Sequence, residues 1–173
     1  MQSLAQRPGW RRAEEILADP LLDETLAASE ASKPKEIQIL RWHLDRARLR
    51  AEQLDLARRP SVSVHGDFAT WNLLFQDGQL TGLFDFELSH QDHRVADFNL
   101  AWRGKYDEFI QGYEEVSRLE PIEKAALVPI WWASLIETAY QNLQNGFDDH
   151  GWAVGKLLTR SPSMGPDARC LPS

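Results

Sequence analysis

Val64-His65-Gly66-Asp67-Phe68-Ala69-Thr70-Trp71-Asn72-Leu73-Leu74-Phe75, with Leu83-Phe84-Asp85-Phe86-Glu87 a few residues on, decides how the rest of the chain is read. Ser61-Val62-Ser63-Val64 alternates as a short strand does. Two apolar runs, Leu73–Gln76 and Gln79–Phe84, flank Asp77-Gly78. Asp-Gly at that place is a hairpin signal, because a type I′ turn needs positive φ at both central residues. With those two as the loop, Gln76 faces Gln79 and the register sets Asn72 opposite Leu83. Asp85 then lies two residues further along.

Helical patterns surround this β element. Residues 10–30 read as short helices broken at Asp19-Pro20. Residues 34–58 read as one long helix, with Ile37, Leu40, Leu44, Ala47, Ala51 and Leu54 at spacings of three and four and Pro60 as the stop. After His90 the chain reads as helix again, near 94–102, 105–118, 121–145 and 148–158. Pro121 suits a first turn, Pro129 is expected to kink or interrupt, and Gly146 suits a C-terminal cap. Ser161 to Ser173 has three prolines and no period, and reads as a loose tail. The expected fold class is α+β, mostly α-helical, with a small central β-hairpin that carries the site.

Composition narrows the function classes. At 173 residues the chain holds about one domain, with 43% hydrophobic residues. The single cysteine, Cys170, excludes an internal disulfide framework. The net charge of −7 is opposite to that of a usual nucleic-acid binder. It sits in residues 106–150, where nine acidic residues meet only Arg118 and Lys124. No apolar run approaches the roughly 18 residues of a membrane span, and no targeting pattern opens the chain; a cytoplasmic protein is expected.

The central stretch has the spacing His-x-Asp-x-x-x-x-Asn, then Asp-Phe thirteen positions later. Protein kinases carry H-R-D-L-x-x-x-N and D-F-G in those roles. Phosphoryl transfer is mostly positioning and charge neutralisation. Asp67 can orient an acceptor hydroxyl and take its proton. An amide oxygen and a carboxylate, Asn72 and Asp85, are hard ligands suited to magnesium beside nucleotide phosphates. Glu87 is a further candidate, to assist the metal or orient Asp85.

With Gly66 after His65 and Asp85-Phe86-Glu87 in the second motif, the chain resembles the aminoglycoside phosphotransferase and choline kinase-like family, which has a protein-kinase-like fold. The resemblance is motif-specific over 62–101 and covers 10–158 in layout. It implies that Asp67 is the catalytic base, that Asn72 and Asp85 bind Mg2+, that His65 is structural, and that Asp97 opens a helix and supports the loop. It implies ATP as donor and a small-molecule hydroxyl as acceptor, whose identity stays open. The seven tryptophans leave room for a cationic one through cation–π contacts.

Residues 1–160 then correspond to the C-terminal lobe of such a fold and 161–173 to a tail. The family's N-terminal nucleotide-binding lobe has no counterpart, because Lys33, Lys35, Lys105, Lys124 and Lys156 follow no strand pattern before the motif. The expectation is a chain that turns over ATP poorly by itself and exposes apolar residues near Phe68, Trp71 and Phe84, inviting self-association or a partner. Two alternatives stand beside it. One is a lobe that acts only with a partner chain. The other is a metal-dependent hydrolase built from His65, His90, His93, Asp67, Asp85 and Asp92.

Overall fold

The computed structural model describes residues 10–102, 108–147 and 150–164. Helix α1 (Ala13–Leu17) opens with the Glu15 carboxylate accepting the Arg12 N–H at 2.8 Å. Asp19 starts α2 (Pro20–Ser29): its carboxylate accepts the Leu21 N–H at 2.9 Å, and Pro20 takes the first turn, where no amide partner is needed. The break expected at Asp19-Pro20 is therefore a helix start.

Helix α3 (Pro34–Gln53) buries Ile37, Leu40, Leu44, Ala47 and Ala51, the stripe its spacing predicts. It stops earlier than residue 58. Leu54 caps it, Asp55 turns to φ 49°, and Leu56–Arg58 continue as a 3-10 turn.

Strand β1 (Val62–Val64) leads to a 3-10 turn, Thr70–Asn72, and then to β2 (Leu73–Gln76) and β3 (Gln79–Leu83). Asp77 and Gly78 take φ values of 50° and 77°, as a type I′ turn requires, and Gln76 faces Gln79. The register beyond them differs from the expected one. A bulge between Leu74 and Phe75 leaves Thr81 as the extra residue, so Leu73, not Asn72, stands opposite Leu83.

A second strand pair was not expected. Strand β4 (His90–Asp92) runs antiparallel to β1, with Val64 opposite His90. His-Gln-Asp has no β-forming residue types, but the ladder turns His90 and Asp92 inward, where they bond each other.

Helices α4 (Phe98–Ala101), α5 (Glu108–Val116), α6 (Pro121–Gln144) and α7 (His150–Arg160) follow. Residues 105–107 and 148–149 of the expected helices lie outside the described residues. Helix α6 is the axis of the fold and packs against α1, α2, α3, α4 and α7. It runs through Pro129 without the expected interruption. Its turns on both sides of the proline, Ala126 to Ala133, are buried, and that packing outweighs a lost hydrogen bond. Its end is a Schellman motif: Gly146 at φ 68° donates to the Leu143 carbonyl and Phe147 to that of Asn142.

The first four residues of the stretch expected to be a loose tail are ordered. Ser161–Met164 form a 3-10 turn, and Ser161 is fully buried between α3 and α6. The Trp132 indole N–H donates to its hydroxyl at 3.0 Å, and the hydroxyl donates to His43 Nε2 at 3.0 Å. His43 Nδ1 donates to the Ile39 carbonyl at 2.8 Å, so a neutral imidazole has both nitrogens satisfied. Residues 165–173 lie outside the described residues.

Candidate active site

The end of β1 delivers the chain to a loop that holds itself in one shape. Asp97, just before α4, accepts the backbone N–H groups of His65 and Gly66 at 2.7 and 2.8 Å, one on each carboxylate oxygen. Gly66 sits at φ 85°, and a Cβ there would lie 2.2 Å from the Leu88 carbonyl oxygen. Only glycine fits both the conformation and the space.

His65 is buried and ties the two motifs together. Its Nε2–H donates to the Phe84 carbonyl at 2.7 Å, and its Nδ1 accepts the Asp67 N–H at 3.3 Å. The Ser89 hydroxyl donates to the His65 carbonyl at 3.2 Å. The residue before Asp85 is thereby fixed against the residue before Asp67's neighbour.

Asn72 closes the loop. Its Nδ2 donates to the Asp67 backbone carbonyl at 2.9 Å and to Asp67 Oδ2 at 2.8 Å, while its own carbonyl accepts the Phe84 N–H at 3.0 Å. The exposed Trp71 indole donates to the same Asp67 Oδ2 at 3.2 Å. Asp67 Oδ1 and Asn72 Oδ1 enter no hydrogen bond among the described residues, and both oxygens stay available. Asp85 is exposed, at φ 62°, and its carboxylate has no partner among the described residues. Glu87 is exposed in the 3-10 turn Phe86–Leu88 that follows.

The donors so assembled, an amide oxygen and a carboxylate on adjoining backbone segments, suit a hard divalent cation that keeps several waters. The histidines do not gather around one. His90 pairs with Asp92 at 3.3 Å, stacks on Trp10 at 3.9 Å between centroids, and backs Gly66. His93 Nε2 meets Glu14 at 2.9 Å and Arg12 at 3.1 Å, on the side of α1. Among the described residues no three His, Cys, Asp or Glu side chains converge as a metal site. The sequence offered no signal for the Trp10–His90 stack or the Arg12 hub, because both are contacts between distant segments.

A cavity of about 650 Å³ opens beside the loop. Gly66, Phe68 and Asp97 line it, as do Trp152 and Lys156 of α7. Trp71 is 70% and Phe84 53% exposed, while Phe68 is half-buried against Phe109. Trp102, Trp131 and Trp132 are core residues.

Comparison with known proteins gives the family. The sequence model of the phosphotransferase enzyme family, APH, matches residues 1–124. The homoserine kinase of Gluconobacter oxydans (strain 621H) is 34% identical over 80 residues, which cover 39% of this chain and 25% of that protein. The chain thus matches a quarter of the length of that curated relative. No solved structure matches significantly. Among the described residues no helix is long and apolar enough to cross a membrane.

Proposed function

Since the chain belongs to the phosphotransferase enzyme family, we propose that it forms the catalytic floor of a kinase that moves the γ-phosphoryl group of ATP to the hydroxyl of a small molecule. The observation that carries this reading is the Asn72 bridge. One residue holds Asp67 Oδ2 by its amide nitrogen and the Phe84-Asp85 segment by its carbonyl. That bridge sets a base and a candidate ligand pair on one rigid unit.

In this reading Asp67 Oδ2 is fixed by Asn72 and Trp71, and Oδ1 faces the acceptor. The acceptor oxygen forms its bond to phosphorus as the bond to the leaving diphosphate oxygen breaks, and its proton passes to Asp67. Asn72 Oδ1 and the Asp85 carboxylate would hold Mg2+, which neutralises phosphate charge. His65 and Asp97 hold the loop and touch no reactant. Among the described residues no strand carries a lysine, so the reading includes a further structural unit, in the same protein or another chain, over the phosphates. Apolar side chains at the cleft, Trp71 and Phe84, are suited to meet it.

The test is transfer from Mg-ATP to a panel of alcohols by a protein that holds this chain together with the unit over the phosphates, followed by 31P NMR. Homoserine, the substrate named for the relative, heads the panel beside sugars and amino alcohols. The expected result is phosphoester formation that Asp67→Asn removes. Transfer that survives Asp67→Asn undiminished would overturn the reading.

A further inference from the structure

His90 lies on β4 opposite Val64 and is 1% exposed. Its Nδ1 is 2.7 Å from the Leu88 carbonyl oxygen, and its Nε2 is 3.3 Å from Asp92 Oδ2. Both neighbours are acceptors. A neutral imidazole carries one N–H, so either tautomer sets a lone pair against an oxygen. Only the imidazolium donates at both nitrogens. The buried His43 and His65 have no such conflict. Each donates to a carbonyl from one nitrogen and accepts at the other, His43 from Ser161 and His65 from the Asp67 N–H.

The charges nearby favour the same proton. Around His90 and its partner stand Asp92 on β4, Arg12 and Glu14 from the α1 side, and His93; β1 opposes His90 with Val64, and the loop meets it with backbone. Asp92 is 5% exposed, and its Oδ1 lies 3.9 Å from Arg12 Nε. Arg12 is shared with Glu14, at 2.9 Å. Two carboxylates thus meet one guanidinium. That guanidinium lies 3.1 Å from His93 Nε2 and opposes a second charge there. At His90 nothing opposes it. A proton between His90 and Asp92 stays on the imidazole, the stronger base. The Trp10 ring, 3.9 Å away between centroids, is within cation–π range.

The group so held supports the loop of Asp67 from behind. The Leu88 carbonyl oxygen fills the place a side chain at Gly66 would need, 2.2 Å from an added Cβ, and His90 Nδ1 lies 3.0 Å from the same point. We propose that His90 is an imidazolium and a positioning residue for this loop: its Nδ1–H fixes the Leu88 carbonyl against Gly66, and its Nε2–H anchors the ring to Asp92. Without the proton one of the two bonds becomes a contact between acceptors, and the support shifts. That the loop is catalytic rests on the phosphotransferase reading. The charge on His90 rests on its own contacts.

Long-range 1H–15N correlation spectra of the labelled full chain at about pH 7, near the ordinary histidine range, test the charge. His90 is expected to show both nitrogens protonated, and His43 and His65 one each. A single neutral tautomer at His90 overturns the proposal. Asp92→Asn then tests the cause. Its amide can donate to His90 Nε2 and still accept the His93 N–H, so His90 is expected to become the neutral Nδ1–H tautomer. The Gly66 and Asp67 amide resonances are expected to shift with it. An imidazolium that persists in Asp92→Asn, or loop amides that stay still while His90 changes state, also overturns the proposal. In a protein that holds this chain together with the unit over the phosphates, His90→Gln is expected to lower kcat about tenfold or more while KM holds, because a displaced base misses the transition state. An unchanged kcat removes the positioning role. Should that protein transfer no phosphate even with His90 in place, the phosphotransferase reading falls, and the spectra alone decide the state of His90 and its hold on the loop.

Discussion

The Asp97 carboxylate accepts the Gly66 backbone N–H at 2.8 Å, a contact that spans 31 residues of chain. A side chain just before α4 therefore sets the shape of the loop that carries Asp67. Its second oxygen holds the His65 N–H, so the carboxylate satisfies two consecutive amides at once. Asp97→Asn keeps the volume but replaces one acceptor by a donor that faces an N–H. We expect a loss of about 1–3 kcal/mol, the cost of an unsatisfied buried donor. For a domain of this size that is several degrees in melting temperature. Thermal melts of the variant check it, and an unchanged melting temperature would show that the clamp is not needed.

Gly66→Ala addresses the same loop from inside. The added methyl would lie 2.2 Å from the Leu88 carbonyl oxygen and 3.0 Å from His90 Nδ1, at a φ of 85°. Backbone oxygen cannot swing aside as a side chain can. The conformational cost alone is about 1–3 kcal/mol, and the clash adds to it. The expected outcome is a displaced loop, seen as amide shifts of His65 and Asp67 in NMR spectra and as lost transfer activity.

Much of this site was legible because it is local. The Asp77-Gly78 turn needs only its own two φ angles, and the helical stripe of α3 only its own period. What was not legible depends on partners far along the chain. The bulge at Thr81 moved the expected pairing by one residue, and no residue type announces it. His90–Asp92 became a strand because β1 was there to pair with. Pro129 stayed inside α6 because the turns around it are buried, which no propensity conveys. His43 on α3 is buried with its Nε2 met by Ser161, a partner 118 residues away.

That buried histidine makes stability depend on pH. Burial pushes the His43 pKa down from 6.5 to about 4, with its bond to Ile39 acting weakly the other way. The unfolded chain then binds a proton near pH 6.5 that the folded chain refuses. Stability is full above that pH and declines as pH falls toward 4. Between about pH 7.5 and 5 the decline amounts to about 2 kcal/mol. Asp19, Asp23 and Glu114 do not obscure this window. The Leu21 amide, the Arg48 side chain and the Lys124 side chain hold their carboxyls below the usual range, so their contributions fade only at lower pH. Urea unfolding of the protein and of His43→Gln across this range is the measurement. The variant should start less stable and vary less with pH, and parallel pH slopes would refute the assignment.

Asp67 is expected to matter for turnover more than for binding. Asp67→Asn should lower the transfer rate by about 10²–10⁴ while nucleotide affinity holds, since a base acts in the transition state. The amide still offers an oxygen to Asn72 and Trp71, so the loop keeps its shape. A fall in affinity equal to the fall in rate would place Asp67 among the nucleotide ligands instead.

Asp85→Asn separates charge from backbone more cleanly than any other change at the site. Asp85 holds φ 62° and ψ 58°, the left-handed region, where most side chains are strained. Asparagine tolerates that region as well as aspartate does. Its side chain is exposed and bonds no described residue, so removing the charge breaks no contact of the folded protein. We therefore expect the melting temperature to stay where it is, within the roughly 0.5 kcal/mol usual for surface changes. Magnesium-dependent nucleotide binding should fall steeply, because a neutral amide replaces the one anionic ligand of the proposed pair. Asp85→Ala would confuse the result by adding backbone strain. Calorimetric titration of Mg-nucleotide into the two proteins, beside their melts, is the decisive comparison. Equal affinities at equal stability would remove Asp85 from the metal site and leave Asn72 without its partner.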